Sequence, residues 1–198
     1  MTNSEIKSAI PQAVQVQDED FLRNYLTSEN VNELYDFPVT HRMNVHLLDG
    51  TERSEFLVDI EKGTLLHLTA WNNLPISAKI LIENGADVDV KDAEERTPLE
   101  VAANRYDVST LSVQKILIEN KANVNFYVRK NLRNHPLLYV YIWDEEYELA
   151  KLTIEHGADV NMRTKDGRSI LEFAERRGTP EIVSMLKRRG ATRNEQNL

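Results

Sequence analysis

The run Lys79-Ile80-Leu81-Ile82-Glu83-Asn84-Gly85-Ala86-Asp87-Val88-Asp89 returns 36 positions later as Lys115-Ile116-Leu117-Ile118-Glu119-Asn120-Lys121-Ala122-Asn123-Val124-Asn125. The apolar first half is identical in both copies, and the second half keeps Ala, Val and a short polar residue in place. That ending appears a third time at Gly157-Ala158-Asp159-Val160-Asn161, again 36 positions on, and a fourth time, weakened, as Gly190-Ala191-Thr192 after 33 more. A period in this range is the mark of stacked structural units, none of which buries its apolar face alone.

Each unit carries its own punctuation. In Arg96-Thr97-Pro98-Leu99-Glu100-Val101-Ala102-Ala103, Thr97 is an N-cap whose hydroxyl accepts from an otherwise unpaired backbone N–H, and Pro98 sits where a missing N–H costs nothing. Leu99, Ala102 and Ala103 form a narrow apolar stripe at helical spacing, suited to close helix contact. A second helix is predicted through Val113, Ile116 and Leu117, ending near Asn120-Lys121, where the other copies use the glycine that best tolerates a left-handed C-cap.

The opening Thr-Pro-Leu phrase with the Gly-Ala-Asp-Val-Asn ending resembles the ankyrin repeat. Thr64, Leu66, His67 and Ala70 fit the opening phrase of that family with Leu65 in place of its proline; Ser169, Leu171, Ala174 and Gly178 fit with Ile170 there. His135-Pro136-Leu137-Leu138 starts the intervening unit, although Tyr141 stands where alanine is usual. Three extra residues around Arg105–Leu111, and ten positions between Asn125 and His135 where other units use eight, are assigned to turns, which tolerate insertion. The expected fold is therefore all-α, a solenoid of helix pairs with connecting hairpin loops.

Before the clear array, Pro11 at a helix start, Ala13 and Val14, then Phe21, Leu22 and Leu26, and the ending Asn30-Val31-Asn32 read as a divergent first repeat. Between Asn32 and Thr64, alternation at Met43, Val45, Leu47 and at Phe56, Val58, Ile60 around Asp49-Gly50 predicts one inserted β-hairpin. The organisation expected is a capping repeat at 1–32, the hairpin at 33–61, the array at 62–192 and a tail at 193–198.

The chain has 198 residues, 41% of them hydrophobic, and no cysteine, so neither disulfides nor thiolate chemistry is available. No basic leader precedes an apolar core, and no stretch approaches a membrane span, so a cytoplasmic, monomeric protein is expected. The net charge of −8 is uneven: residues 163–198 carry nine basic and five acidic side chains, leaving −12 on the first 162. An acidic body repels phosphate backbones, which argues against nucleic acid and favours a basic protein partner.

His67 belongs to the repeat phrase, where resemblance implies hydrogen bonding within the stack. His41 and His46, without cysteine or a tight carboxylate pattern, do not form a metal site, and His156 precedes a C-capping glycine. Asp144-Glu145-Glu146-Tyr147-Glu148 concentrates carboxylates at a helix start, where they complement the helix dipole. No catalytic, cofactor or metal residues are assigned.

The resemblance implies protein binding through a concave face of hairpin tips and inner helices. Aligned on the repeat phrase, that face would use Trp71, Asn72, Asn104, Arg105, Trp143, Asp144 and Arg176, with Lys91, Glu94, Arg129, Lys130, Lys165 and Asp166 at the tips. Ile142 and Arg177 fall at neighbouring inner positions. Each tryptophan either anchors a partner or packs against an adjacent repeat. The functional expectation is a non-catalytic, stand-alone inhibitor or adaptor; the alternatives are an immunity protein neutralising a basic toxin and a regulatory subunit of an enzyme.

Overall fold

The computed structural model describes residues 2–36, 45–46, 52–53, 62–104, 111–130, 133–177 and 179–193. It contains ten helices and three two-stranded antiparallel pairs among those residues, arranged in two compact units, 1–116 and 117–198.

In the first unit, α1 (Asn3–Val16) packs on α2 (Glu19–Tyr25) and α3 (Leu65–Asn72), α2 packs on α4 (Pro75–Glu83), and α3 packs on α5 (Pro98–Ala103). One row of helices is thus α1–α3–α5 and the other begins α2–α4. The helix α6 (Ser112–Glu119) spans the boundary of the units; its Gln114 Nε2 donates to the Ala102 carbonyl at 3.0 Å. Ile10, Val14, Leu22 and Val31 are completely buried, so the N-terminal helix pair packs its apolar face against α3 and α4. Its first helix begins earlier than Pro11 suggested. A reciprocal cap between Thr2 and Glu5 starts α1 at Asn3, and Pro11 sits inside the helix, where its missing N–H leaves one carbonyl without its usual donor.

The predicted array caps are built as their chemistry requires. Thr97 Oγ1 accepts from the Glu100 N–H at 3.2 Å while Glu100 Oε2 accepts from the Thr97 N–H at 2.6 Å. Thr179 Oγ1 caps α10 (Pro180–Arg188) through the Ile182 N–H.

Around 33–61, β1 (Tyr35–Asp36) pairs with β4 (Lys62–Gly63), just past the segment, and draws its ends together, while β2 (Val45–His46) pairs with β3 (Glu52–Arg53). The strand read through Phe56, Val58 and Ile60, like Met43 and Leu47, lies outside the described residues. The pairing described sets Val45 opposite Arg53.

The second unit departs from expectation at its start. The two surplus residues before His135 do not merely lengthen a turn: β5 (Tyr127–Lys130) and β6 (Arg133–Pro136) form a hairpin in which Val128 faces His135 across the ladder. Burial alternates along it, with Phe126 and Val128 inside and Tyr127 and Arg129 outside, the period-two pattern of a half-buried strand. The hairpin packs on α7 (Leu137–Trp143), which packs on α8 (Tyr147–Glu155) and α9 (Ile170–Arg177); α8 and α9 both meet α10. Ile142 is fully buried and Tyr141 is 3% exposed, so both belong to the core. That corrects the placing of Ile142 on a binding face.

One polar device recurs along the turns. Asn32 Nδ2 donates to the Gly85 carbonyl and its Oδ1 accepts from the Asp87 N–H; Asn125 does the same to Gly157 and Asp159, and Asn161 to Gly190 and Thr192. The last residue of one ending thereby satisfies two backbone groups of the next, which fixes the spacing of successive layers within each unit.

Candidate functional site

The positions singled out in the first unit are distributed around the ends of α3 and α5. Trp71 is partly exposed and Asn72 exposed at the C-terminal end of α3, where Asn72 Nδ2 donates to the Leu68 carbonyl. Asn104 caps α5, its side-chain amide donating to the Glu100 carbonyl at 2.7 Å. At the adjoining tip, Lys91 is exposed and pairs with Glu100 at 3.2 Å, and Glu94 pairs with Arg96. Lys91 is thus tied to α5 and Glu94 to its own loop. Arg105 lies outside the described residues.

Behind that tip is a buried polar network. His67 Nε2 lies 2.9 Å from the Arg96 carbonyl oxygen, so that nitrogen carries the proton and donates, while Nδ1 accepts from the Thr64 N–H at 3.2 Å. Burial of the ring, 0% exposed, holds its pKa below the ordinary 6.5, against the opposing pull of the Arg96 carbonyl and the Asp92 carboxylate. Burial pushes the Asp92 carboxyl up, but hydrogen bonds from the Arg96 side chain and backbone outweigh it and leave it below the usual carboxylate range. His67 is committed to structure.

The second unit gathers its candidates more tightly. Trp143, partly exposed at the end of α7, meets three rings: His135 at 5.5 Å, Tyr139 at 5.8 Å and Phe173 at 5.9 Å between centroids. Tyr139 and Phe173 stack at 4.1 Å. Tyr139 is wholly buried and its phenol is pushed up by that burial, with Arg168 pulling the other way. Phe173 keeps part of its ring exposed. Trp143 is therefore neither a pure core residue nor a free anchor: one part of it closes an aromatic cluster and the rest meets solvent. Asp144, next to it, is the C-cap of α7.

At the adjacent tip, Asp166 accepts from Thr164 Oγ1 at 2.5 Å and pairs with Arg168 at 3.0 Å and Arg133 at 3.5 Å. The Thr164 hydrogen bond, with smaller help from a backbone N–H and the two arginines, holds the Asp166 carboxyl below its usual range. Lys165 and Arg129 are exposed, and Lys130 lies in β5 opposite Arg133. From Asp166 the surface continues into a groove of about 500 Å³ lined by Arg168, Ser169, Glu172, Phe173, Arg176 and Arg177. Glu172 and Phe173 lie three and four residues beyond Ser169, and Arg176 and Arg177 three and four beyond Phe173, so one facet of α9 builds most of the wall.

Of the groove residues, the sequence reading had named Arg176 and Arg177 and missed Arg168 and Phe173. The spacing from Ser169 to Arg177 was available in the sequence. The stacking of Phe173 on Tyr139, which turns that facet into the floor of a groove, was not.

Among the described residues no group of three or more histidines or carboxylates is placed to hold a metal ion, and no helix is long and apolar enough to cross a membrane.

Comparison with known proteins places the repeat phrase. The ankyrin repeat family matches residues 63–93. The chain is 30% identical to a putative palmitoyltransferase ZDHHC13 of Danio rerio over 66% of this chain and 20% of that protein. It is 27% identical to the B-cell lymphoma 3 protein homolog of Mus musculus over 77% of this chain and 34% of that one. It is also 32% identical to an ankyrin repeat protein, OPG189, of Variola virus over 45% of this chain and 15% of that one. The chain thus spans about a third or less of the length of these relatives. A crystal structure of the ankyrin repeat domain of Bcl-3 superposes with a TM-score of 0.49 at 26% identity, over 65% of this chain and 56% of that one.

Proposed function

The chain belongs to the ankyrin repeat family, and from that premise we propose that it is a non-catalytic inhibitor or adaptor that binds a partner protein through hairpin tips and the exposed ends of inner helices. The observation that supports this most directly is the pairing of Trp143 and Phe173 in the second unit. Two partly exposed aromatic rings lie 5.9 Å apart, backed by a buried tyrosine and bordered by Arg168 and Arg176. Aromatic and arginine side chains dominate the energetics of protein interfaces, above all where a packed support holds them in place.

Neutralisation of a basic toxin is a second reading, supported by the charge of −12 on the first 162 residues. It locates the contact on the acidic first unit. Affinity capture from the source cell with the immobilised chain, run beside Trp71→Ala and Trp143→Ala variants, tests both. Loss of the captured protein with Trp143→Ala supports the inhibitor or adaptor reading through the second unit. Loss with Trp71→Ala alone, for a basic captured protein, supports the toxin reading. Capture that is insensitive to both, or no capture, rejects the proposed surface.

A further inference from the structure

We propose that the groove along α9 receives an acidic segment of the partner, whose carboxylates pair with Arg168, Arg176 and Arg177 while an apolar side chain rests on Phe173. The inference rests on the protein-binding reading above and names the chemistry of what is bound. It runs against the basic partner that net charge alone suggests.

Three observations carry it. First, the lining holds three guanidinium groups and one carboxylate, Glu172, in a chain whose net charge is −8. Local charge decides what a contact surface accepts, because interactions beyond about 8–10 Å are screened at physiological salt. Second, the cations differ in how they are held. Asp166, itself fixed by Thr164, ties down the Arg168 guanidinium, whereas the exposed side chains of Arg176 and Arg177 make no hydrogen bond or ion pair among the described residues. Lys151, Lys187 and Arg193 in the same unit are all engaged with glutamates. Two guanidiniums with their donors open, lining the same groove as a third that is anchored, suit bidentate pairing with carboxylates. Third, the floor is aromatic: Phe173 is partly exposed and is backed by the buried Tyr139, on which it stacks.

Nucleic acid also carries negative charge, but it fits less well. Glu172 sits among the arginines, where it would face a continuous phosphate backbone. A groove of about 500 Å³ takes a few side chains of a peptide.

A random peptide library displayed on phage and panned against the full chain tests the proposal. The full-length Arg176→Glu/Arg177→Glu and Arg176→Gln/Arg177→Gln variants are panned in parallel, each first shown to unfold at the wild-type urea midpoint. The expected result is enrichment of acidic peptides bearing an apolar residue. A synthetic copy of such a peptide should bind the wild type about tenfold or more tightly than the Glu variant, with the Gln variant between, and should weaken as salt rises. Enrichment of basic or charge-indifferent peptides, equal binding by all three proteins, or no enrichment overturns the inference. So does tighter binding, in the same buffer, of a single-stranded oligonucleotide than of the peptide. The protein-binding reading fails separately, if affinity capture also recovers nothing.

Discussion

The imidazole of His67 reaches across 29 residues of sequence to the carbonyl oxygen of Arg96, at 2.9 Å, and so pins the start of α3 to the tip that precedes α5. The same ring accepts from the Thr64 N–H through Nδ1, so it is neutral in the folded chain, and a proton added at Nδ1 would oppose that N–H.

This predicts a specific loss of stability in mild acid. The folded pKa of His67 lies below the ordinary 6.5, with burial as the leading cause. Its contribution is therefore fully present above pH 6.5 and is lost as the pH falls from there towards the lower folded value. Urea midpoints measured between pH 7.5 and about 5 should decline in the wild type, and the decline should flatten in His67→Gln, which does not titrate there. Equal slopes in the two proteins would show that other groups govern the acid response.

The asparagine ladder predicts a graded series. Asn125 donates to the Gly157 carbonyl at 3.2 Å and accepts from the Asp159 N–H at 2.7 Å. Asn125→Ala loses both bonds and should cost about 1–2 kcal/mol; Asn125→Asp keeps the acceptor and should cost less, about 0.5–1 kcal/mol. Asn161→Ala should match Asn125→Ala, because it bridges Gly190 and Thr192 in the same way. A neutral result in both alanine variants would mean that water replaces the ladder without loss.

Trp143→Ala should be costly for folding and for binding together. The indole closes a cluster with His135, Tyr139 and Phe173 but keeps part of its surface in solvent. A loss of about 2–3 kcal/mol is expected, below the range for a fully buried aromatic ring. Trp143→Phe retains much of the packing and should recover most of the urea midpoint while recovering less of any partner affinity. Full recovery of both would assign the residue to packing alone.

Residues that punctuate the chain locally were legible without coordinates. Thr97 and Glu100 make the cap that their types imply, and the Asn30-Val31-Asn32 ending places a buried Val31 and a bridging Asn32 where the period puts them. Features that depend on what packs against a residue were not. Pro11 reads as a helix start, but burial of Ile10 and Val14 on either side of it carries α1 through the proline. Two surplus residues before His135 were visible as length, yet only the burial of Val128 against α7 makes them a hairpin rather than a longer turn. Ile142 was read as an inner position beside Trp143, which is partly exposed, whereas α7 buries Ile142 completely. The groove depends on the same kind of information, since Phe173 is unremarkable in sequence until Tyr139 is stacked beneath it.

Lys121 occupies the turn position held by glycine in the other copies of the repeat ending, and its substitution should stabilise the chain. Its φ is +70°, in the region where Gly85, Gly157 and Gly190 sit at +86°, +90° and +80°. An L-residue there costs about 1–2 kcal/mol, because its Cβ crowds the adjacent backbone. The turn itself is intact: the Lys121 N–H donates to the Ile118 carbonyl and the Ala122 N–H to the Leu117 carbonyl, so only the side chain is at fault. Glycine removes that strain but gains entropy in the unfolded chain worth about 0.5–1 kcal/mol, which offsets part of the benefit. Lys121→Gly should therefore raise stability by roughly 0.5–1 kcal/mol, read as a higher urea midpoint at an unchanged slope. The reciprocal change, Gly157→Lys, imports the strain into a turn that lacks it and should destabilise by a similar amount. Nothing lies within 4 Å of the Cβ that would be added at Gly157, so the cost there is conformational and not steric contact with neighbours. If Lys121→Gly lowers the midpoint, the lysine side chain must supply a stabilising contact greater than the strain it carries.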